Sequence, residues 1–494
     1  MNGPIVSGPR ASDRGRLFLT VWLVYAVCLN PVLVNPMTWA ALDAASSLVE
    51  TGRWQVTHAD LYGDMDVALS GSRKVPGPPP GLAALLVPVY AAWRAVGGAA
   101  ETHADFVGFH VFATLVVAAT VSALTAGEVA ALAGWLGASR AGRLWAALLF
   151  ALGTPAFLFA TRLFKENLAA LAVIAAFRLA VTPGDARRRA LAGLAAGAAA
   201  LVAYPAGLVG AGLALVIAVR DGRRALVAFA LGGLPPLGAL AAYNTWLFGR
   251  PWRFAYSTYL HMPEAVESVG FRLPDVGVLA NSLVHQREGL LLYSPFLLLG
   301  VVGLAVAWRP GRRGSAAVVA VFALALWGLS AAWLAQFPQS FTGARYLFPT
   351  VPLLAAFAAP VLERAGVRLR WTLAVVSVSL TYLVVQAGHI ADPAPLLYAA
   401  KTFLSGGGLP VLVKETLPAH LGIETLHTTL ARPDVGAGDL VRMLATPAGW
   451  RLALNQVLVG AVGVATFATI LGVVRRLWTL ETAPVSAAPP ALAR

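Results

Sequence analysis

The stretch LDAASSLVETGRWQVTHADLYGDMDVALSGSRKVPGPPPGLAALLVPVYAAWR, Leu42 to Arg94, lies between two apolar runs and decides how the rest of the chain is counted. Its end, Leu82 to Val96, is apolar enough to be mistaken for a membrane crossing. Counted as one, it would move Arg187–Arg189 and every later arginine cluster to the far side of the membrane, against the excess of Lys and Arg in cytoplasmic loops. It is therefore expected to lie along or partly into the outer leaflet, as a re-entrant or interfacial helix. The acidic, arginine-free GGAAETHADF that follows, Gly97 to Phe106, suits that side.

With that piece set aside, the chain reads as an all-α polytopic membrane protein. Hydrophobic residues make up 58% of 494, charged residues 12%, and the mean hydropathy is +0.72. Apolar runs of about 20 residues, the length of a bilayer-crossing helix, recur throughout. Crossings are expected near 17–35, 107–136, 143–160, 167–181, 190–203, 206–219, 225–243, 290–308, 315–336, 346–362, 371–390 and 452–474, twelve in all. The clusters Arg140/Arg143, Arg187–Arg189, Arg220/Arg223/Arg224, Arg309/Arg312/Arg313, Arg364/Arg368/Arg370 and Arg475/Arg476 then share the side of the N-terminal arginines, with both termini cytoplasmic. The expected organisation is one transmembrane domain over 1–480 and a disordered cytoplasmic Pro/Ala tail over 481–494.

The net charge of +14 sits in short arginine turns between apolar runs and not on one soluble face, so it marks topology and excludes nucleic acid as a partner. Cys28 is the single cysteine, so no intrachain disulfide can form. Arg10, Arg14 and Arg16 precede the first apolar run as in a signal peptide, but no A-x-A-like site follows, which predicts an uncleaved anchor. Gly193 and Gly197 form a G-x-x-x-G that predicts close helix packing. The sequence has no strand-linked GxGxxG, P-loop, HExxH or CxxC. High alanine and arginine with only four lysines suggests a GC-rich bacterial genome, and hence a bacterial inner membrane.

The outer face owns the long loops, 36–106, 244–289 and 391–451, and turns at 161–166, 204–205 and 337–345, so the chemistry is expected there. Asp43, Asp60, Asp64 and Asp66 stand in the first loop, ahead of Arg73, Lys74 and a Pro-Gly turn. A carboxylate at a membrane surface can take a proton from a water-borne acceptor beside a lipid-borne donor. The plainer role for these aspartates is to solvate a long loop. Arg162, Lys165 and Glu166 form a tight charged turn that could merely snorkel, although charges at membrane depth persist mainly when paired or functional. Arg345 opens a crossing at its outer end, where arginine is disfavoured, and its guanidinium can grip phosphate bidentately. Arg287 can do the same or pair with its neighbour Glu288. Tyr204-Pro205 reads first as a helix reversal, and the outer tryptophans, Trp39, Trp54, Trp93, Trp246, Trp252 and Trp450, as an aromatic belt. The eight histidines are scattered, with no His/Cys cluster that argues for zinc.

Three stretches in order resemble the membrane-embedded GT-C glycosyltransferases, close to the dolichyl-phosphate-mannose protein mannosyltransferase and lipid A aminoarabinose transferase relatives. The first joins SLVETGRW, DMDVALSG and PPPGLAALLVPVY; the second is TPAFLFATRLFKENLAAL, Thr154 to Leu171. The third pairs YNTWLFGRPWRFAY and REGLLLYSPFLLLGVVGL with FTGARYLFPTVPLLA. Many members carry an acidic pair directly after the first crossing, where this chain reads NPMTWAAL, and Asp43 comes more than a turn later.

The resemblance implies about twelve transmembrane helices with outer interfacial helices, and transfer of a sugar from a polyprenyl-phosphate donor to an extracytoplasmic acceptor, a glycan, lipid or protein. Inversion through an acidic general base would follow from a single displacement. Asp66 ranks first as that base because it matches the D-A…G element; Asp43 ranks second, Asp64 third, and Glu166 fills the family's second acidic position. Arg345, Lys74, Arg73, Arg287 and Arg162 are the expected phosphate holders. No cofactor is required, and a divalent metal is allowed. The competing readings are a lipid or small-molecule transporter, and a non-catalytic membrane assembly subunit. Mid-span charges are few, which disfavours the transporter.

Overall fold

The protein is described here by a computed structural model covering residues 11–30, 35–64, 66–259, 273–286, 289–332, 344–387, 395–406, 408–425, 442 and 445–479. Each expected crossing falls on a helix or a broken pair of helices. The first three are Ala11–Val27, His103–Trp135, and Arg140–Leu152 followed by Pro155–Ala160. Lys165–Val181, Ala186–Val202, Tyr204–Asp221 and Arg223–Phe248 come next, then Leu290–Tyr293 with Leu297–Val306. Arg313–Ala332, Arg345–Arg364, Val367–Val385 and Pro447–Thr479 complete the set. Among the described residues, 7 helices are long and apolar enough by themselves to cross a membrane. The others are shorter or interrupted, as at Thr154-Pro155 and Ser294-Pro295, where proline lacks the N–H that a continuous helix needs. The first helix ends at Val27, short of the expected 17–35, because Asn30-Pro31 follows.

The piece expected to lie at the interface is a separate 15-residue helix, Gly81–Ala95. It packs against Pro36–Thr51, which starts where Asn35 accepts the Met37 N–H and Pro36 fills the first turn. Leu82, Leu86 and Tyr90 face inward; Tyr90 donates to Glu50 at 2.7 Å and Arg94 pairs with the same carboxylate at 2.8 Å. The two helices therefore form one lashed unit at the head of the bundle.

The helix Lys165–Val181 shows how the two ends of the molecule differ. Glu166 in its first turn meets Arg345, while the carbonyls of Ala180 and Val181 at its far end accept from Arg220. At that far end the arginine turns hold one another: Arg189 and Arg220 share Asp221, each at 2.8 Å, and these contacts offset the negative end of the helix. Elsewhere Arg140 pairs with Asp13 at 2.7 Å, and Arg312 caps Trp135 and Leu136. Glu166, Arg345 and the described residues 250–259 gather at the opposite end.

Close helix packing uses the predicted G-x-x-x-G. A Cβ on Gly193 would stand 1.8 Å from the Phe229 carbonyl oxygen, and one on Gly197 would stand 2.5 Å from Pro236. Hydrogen in place of a side chain lets Ala186–Val202 and Arg223–Phe248 touch backbone to backbone, which dispersion favours in lipid.

Candidate active site

Two short strands, β1 (Val67–Ser70) and β2 (Arg73–Pro76), pair antiparallel with Val67 opposite Pro76 and Ser70 opposite Arg73. Gly71 at φ +63° serves the tight turn between them. Asp66 enters β1 at φ +58°, a left-handed conformation that Asp tolerates better than most residues and that the fold must hold in place. Gly77 holds it, donating its N–H to the Asp66 carbonyl at 2.8 Å.

The hairpin is docked on a second loop. Ala68 forms a bridge with Tyr259, and Ser70 donates to the Leu247 carbonyl at 2.8 Å. The Tyr259 ring lies against Gly77, where a Cβ would stand 2.1 Å from it, and meets Tyr256 edge-on at 5.1 Å. Tyr256 in turn packs on Tyr204 at 6.0 Å. This chain of rings links the hairpin to the wall of a cavity.

The cavity has a volume of about 590 Å³. Its walls are largely apolar, including Leu326, Leu329, Pro349, Trp252 and Phe254, and its charged groups come from three places in the chain. Lys165 and Glu166 stand at the start of their helix, Arg250 and Arg253 follow the long helix Arg223–Phe248, and Arg345 opens a 3₁₀ turn after Ala344, itself at φ +49°. The Arg345 Nε lies 3.5 Å from Glu166 Oε1, its Nη2 donates to the Tyr346 hydroxyl at 3.1 Å, and its guanidinium stands 5.0 Å over the Tyr346 ring. Glu166 is buried, and its Oε2 accepts no hydrogen bond from the described residues.

Asp66 is half-buried and does not itself line the cavity, but it lies close enough to feel the charges of Arg345, Lys165 and Glu166. Desolvation raises its pKa above the ordinary carboxylate value; the positive charges of Arg345 and Lys165 oppose that shift and the Glu166 carboxylate adds to it. A carboxylate that is basic, partly accessible and next to a cation-lined cavity is the arrangement a general base requires.

The other predicted residues lie elsewhere. Asp43 is fully buried, and its carboxylate accepts from the N–H groups of Thr57 at 2.9 Å and His58 at 2.7 Å, the Thr57 hydroxyl at 2.7 Å and the Tyr62 hydroxyl at 3.1 Å. His58 Nδ1 stands 3.1 Å away. Those contacts tie the loop 54–62 to Pro36–Thr51, and Asp43 does not line the cavity. Asp64 pairs with Lys74 at 2.6 Å, and Asp60 is exposed. Arg73 sits 5.9 Å over the Trp246 ring. Arg162 is buried and donates to the Ala387 carbonyl at 3.1 Å, stapling two helix ends, and does not line the cavity. Arg287 lies outside the described residues. Arg250 and Arg253 do line the cavity although the sequence reading passed over them. The signal was present: both stand in the quoted YNTWLFGRPWRFAY, on the side that the arginine clusters assign as the outer one, where arginine is disfavoured. Among the described residues no three His, Cys, Asp or Glu come together as a metal set.

No protein-family model matches the chain, and no curated protein matches it either. Among solved structures, apo ArnT from Cupriavidus metallidurans superimposes with a TM-score of 0.51 at 16% identity, over 94% of this chain and 78% of that one. The fold is GT-C. The same enzyme bound to undecaprenyl phosphate aligns with a TM-score of 0.48, also at 16% identity, over 93% of this chain and 77% of that one. At this identity the likeness concerns the path of the backbone, and the cavity's side chains have to be read from this chain itself.

Proposed function

We propose that this protein is a polyprenyl-phosphate-sugar-dependent glycosyltransferase whose loop end faces the extracytoplasmic side. The observation that carries the reading is the juxtaposition of a half-buried basic carboxylate, Asp66, with an apolar cavity bearing Lys165, Arg250, Arg253 and Arg345. The apolar walls suit an isoprenoid chain near its head, and the cations suit the phosphate. The four cations face two carboxylates, Glu166 and ionised Asp66, which leaves an excess of two positive charges. A phosphodiester donor carries about one negative charge and the departing polyprenyl phosphate nearly two. The site is thus better matched to the leaving group than to the substrate, which favours bond breaking.

In the reaction, Asp66 accepts the proton of an acceptor hydroxyl or amine while the acceptor oxygen or nitrogen forms its bond to the anomeric carbon. The bond between that carbon and the phosphate oxygen breaks, and its electron pair leaves with the polyprenyl phosphate. One displacement inverts the anomeric configuration. Arg345 is held for its part by Glu166 and Tyr346, so a guanidinium is in place before the donor arrives.

The test is purified protein in lipid nanodiscs with a radiolabelled polyprenyl-phosphate hexose and an extract of envelope acceptors. Label should leave the carrier with wild type and stay on it with Asp66→Asn. A wild type that neither binds polyprenyl phosphate nor moves label with any donor or extract would remove the proposal, leaving a transporter or an assembly subunit.

A further inference from the structure

Two residues that line the cavity each carry a buried polar atom that accepts and donates nothing within the described structure: Glu166 Oε2 and the Tyr204 hydroxyl. Both side chains are fixed. Glu166 is held through its other oxygen by Arg345 at 3.5 Å, and the Tyr204 ring packs tilted at 4.4 Å from Phe254 and edge-on at 6.0 Å from Tyr256. An unsatisfied buried polar atom costs free energy that a bound partner recovers, and two of them in residues lining one cavity point to a polar ligand there. The isoprenoid chain cannot supply hydrogen bonds, and the phosphate, an acceptor, cannot donate to Glu166 Oε2 once it is ionised.

Resting on the glycosyltransferase reading, we infer that Glu166 Oε2 and the Tyr204 hydroxyl form the sugar subsite, and that it takes a neutral, hydroxyl-bearing sugar. The carboxylate oxygen accepts from a sugar O–H; the tyrosine hydroxyl, which can do either, bonds a second one. Charge decides against an amino sugar. Glu166 already faces Arg345, its chain neighbour Lys165 lines the same wall, and Arg250 and Arg253 add two more cations. A sugar ammonium would meet a positive field, whereas a hydroxyl needs only the free lone pair.

The experiment compares polyprenyl-phosphate donors carrying a neutral hexose, its monodeoxy analogues and an amino sugar, against wild type, Glu166→Gln and Tyr204→Phe. Binding of sugar-free polyprenyl phosphate is the control in every case. Wild type should prefer the neutral hexose and lose about 10–100-fold in kcat/KM for one or two of the deoxy analogues, the range expected for a hydrogen bond to a buried or charged group. Tyr204→Phe should erase the penalty at one hydroxyl only and change sugar-free carrier binding by no more than about 2-fold, below the effect of losing one hydrogen bond; Glu166→Gln, which also releases Arg345, should erase the penalty at a different hydroxyl. A preference for the amino-sugar donor, or equal losses on every donor in both variants, overturns the subsite. Failure of wild type to bind the sugar-free carrier condemns the glycosyltransferase reading itself, which separates the two failures.

Discussion

Gly77 donates its N–H to the Asp66 carbonyl at 2.8 Å, and the same residue leaves the space that the Tyr259 ring fills. One position thus ties the candidate base, the hairpin and the loop that carries Arg250 and Arg253. Gly77→Ala would put a Cβ 2.1 Å from the Tyr259 ring, and because that ring is buried it cannot swing away cheaply. The hairpin should lift and Asp66 lose its setting. We expect turnover to drop about 10-fold or more, in line with a small misplacement at a reacting centre, while the amount of folded protein in the membrane changes little. Tyr259→Phe keeps the ring and should stay near wild type; equal loss in both variants would show that the tyrosine hydroxyl, and not the ring's packing, matters.

Asp66→Asn should lower turnover by about 10²–10⁴-fold with carrier binding nearly intact, since the amide keeps the size and loses the basicity. The pH profile gives a second check. Burial raises the Asp66 pKa, so its active, deprotonated form disappears on acidification at a higher pH than the value of about 4 for a free carboxylate. Linkage has the matching sign: a raised folded pKa means the folded state binds the proton more tightly, so this group's contribution favours folding at low pH and is lost as pH rises through the folded value. Asp66→Asn should therefore cost no stability at neutral pH, and a thermal melt lower than wild type would argue for a structural aspartate.

Arg345 is held by Glu166 at 3.5 Å and stands over Tyr346, so its replacement separates charge from shape. Arg345→Lys keeps one positive charge but loses the planar fork, and should weaken carrier binding about 10-fold; Arg345→Ala leaves Glu166 as an unpaired buried carboxylate and should be worse. Unchanged affinity in both, measured with polyprenyl phosphate on purified protein, would leave Arg345 as an interfacial anchor.

The fold was legible in the sequence because its signals are long and repeated: apolar runs, arginine turns and G-x-x-x-G each act over a whole helix. The site was less so. The order of the loop aspartates in the chain says nothing about which one the hairpin turns inward, and that depends on Gly77 and Tyr259, which are 182 positions apart in sequence. Asp43 and Arg162 attract notice as charges near a membrane, yet their partners are backbone groups of loops and helix ends, which residue types alone do not reveal. Arg250 and Arg253 broke the same positive-inside expectation that drew attention to Arg345, and weighing them alike would have found them.

The proposed orientation can be checked separately from activity. Cys28 is buried, and replacing it gives a thiol-free background. Asp60 and Arg223 are exposed at opposite ends, so cysteines there report without disturbing the core. A membrane-impermeant maleimide added to intact cells should label position 60 and spare position 223 until the cells are opened. The reverse pattern would place the cavity in the cytoplasm and remove the extracytoplasmic acceptor.

The last prediction separates Asp43 from Asp66. Asp43 Oδ2 accepts from two backbone N–H groups and the Tyr62 hydroxyl, and Oδ1 faces the Thr57 hydroxyl and His58 Nδ1, all in a fully buried setting, so Asp43→Asn can keep its carbonyl on the N–H groups and turn its amide to Thr57 and His58, losing only the charge. Replacing charge-assisted hydrogen bonds by neutral ones should cost about 1–2 kcal/mol of stability. The loop 54–62 should loosen, and protease nicking between Thr51 and Tyr62 should rise. Asp64→Asn, by contrast, removes only a solvent-accessible pair with Lys74 and should be close to silent. Activity per folded molecule is the deciding quantity: Asp43→Asn should retain most of it and Asp66→Asn almost none. Should Asp43→Asn prove stable, protease-resistant and inactive while Asp66→Asn still transfers sugar, the base is the earlier aspartate, and the hairpin's hold on Asp66 serves the fold alone.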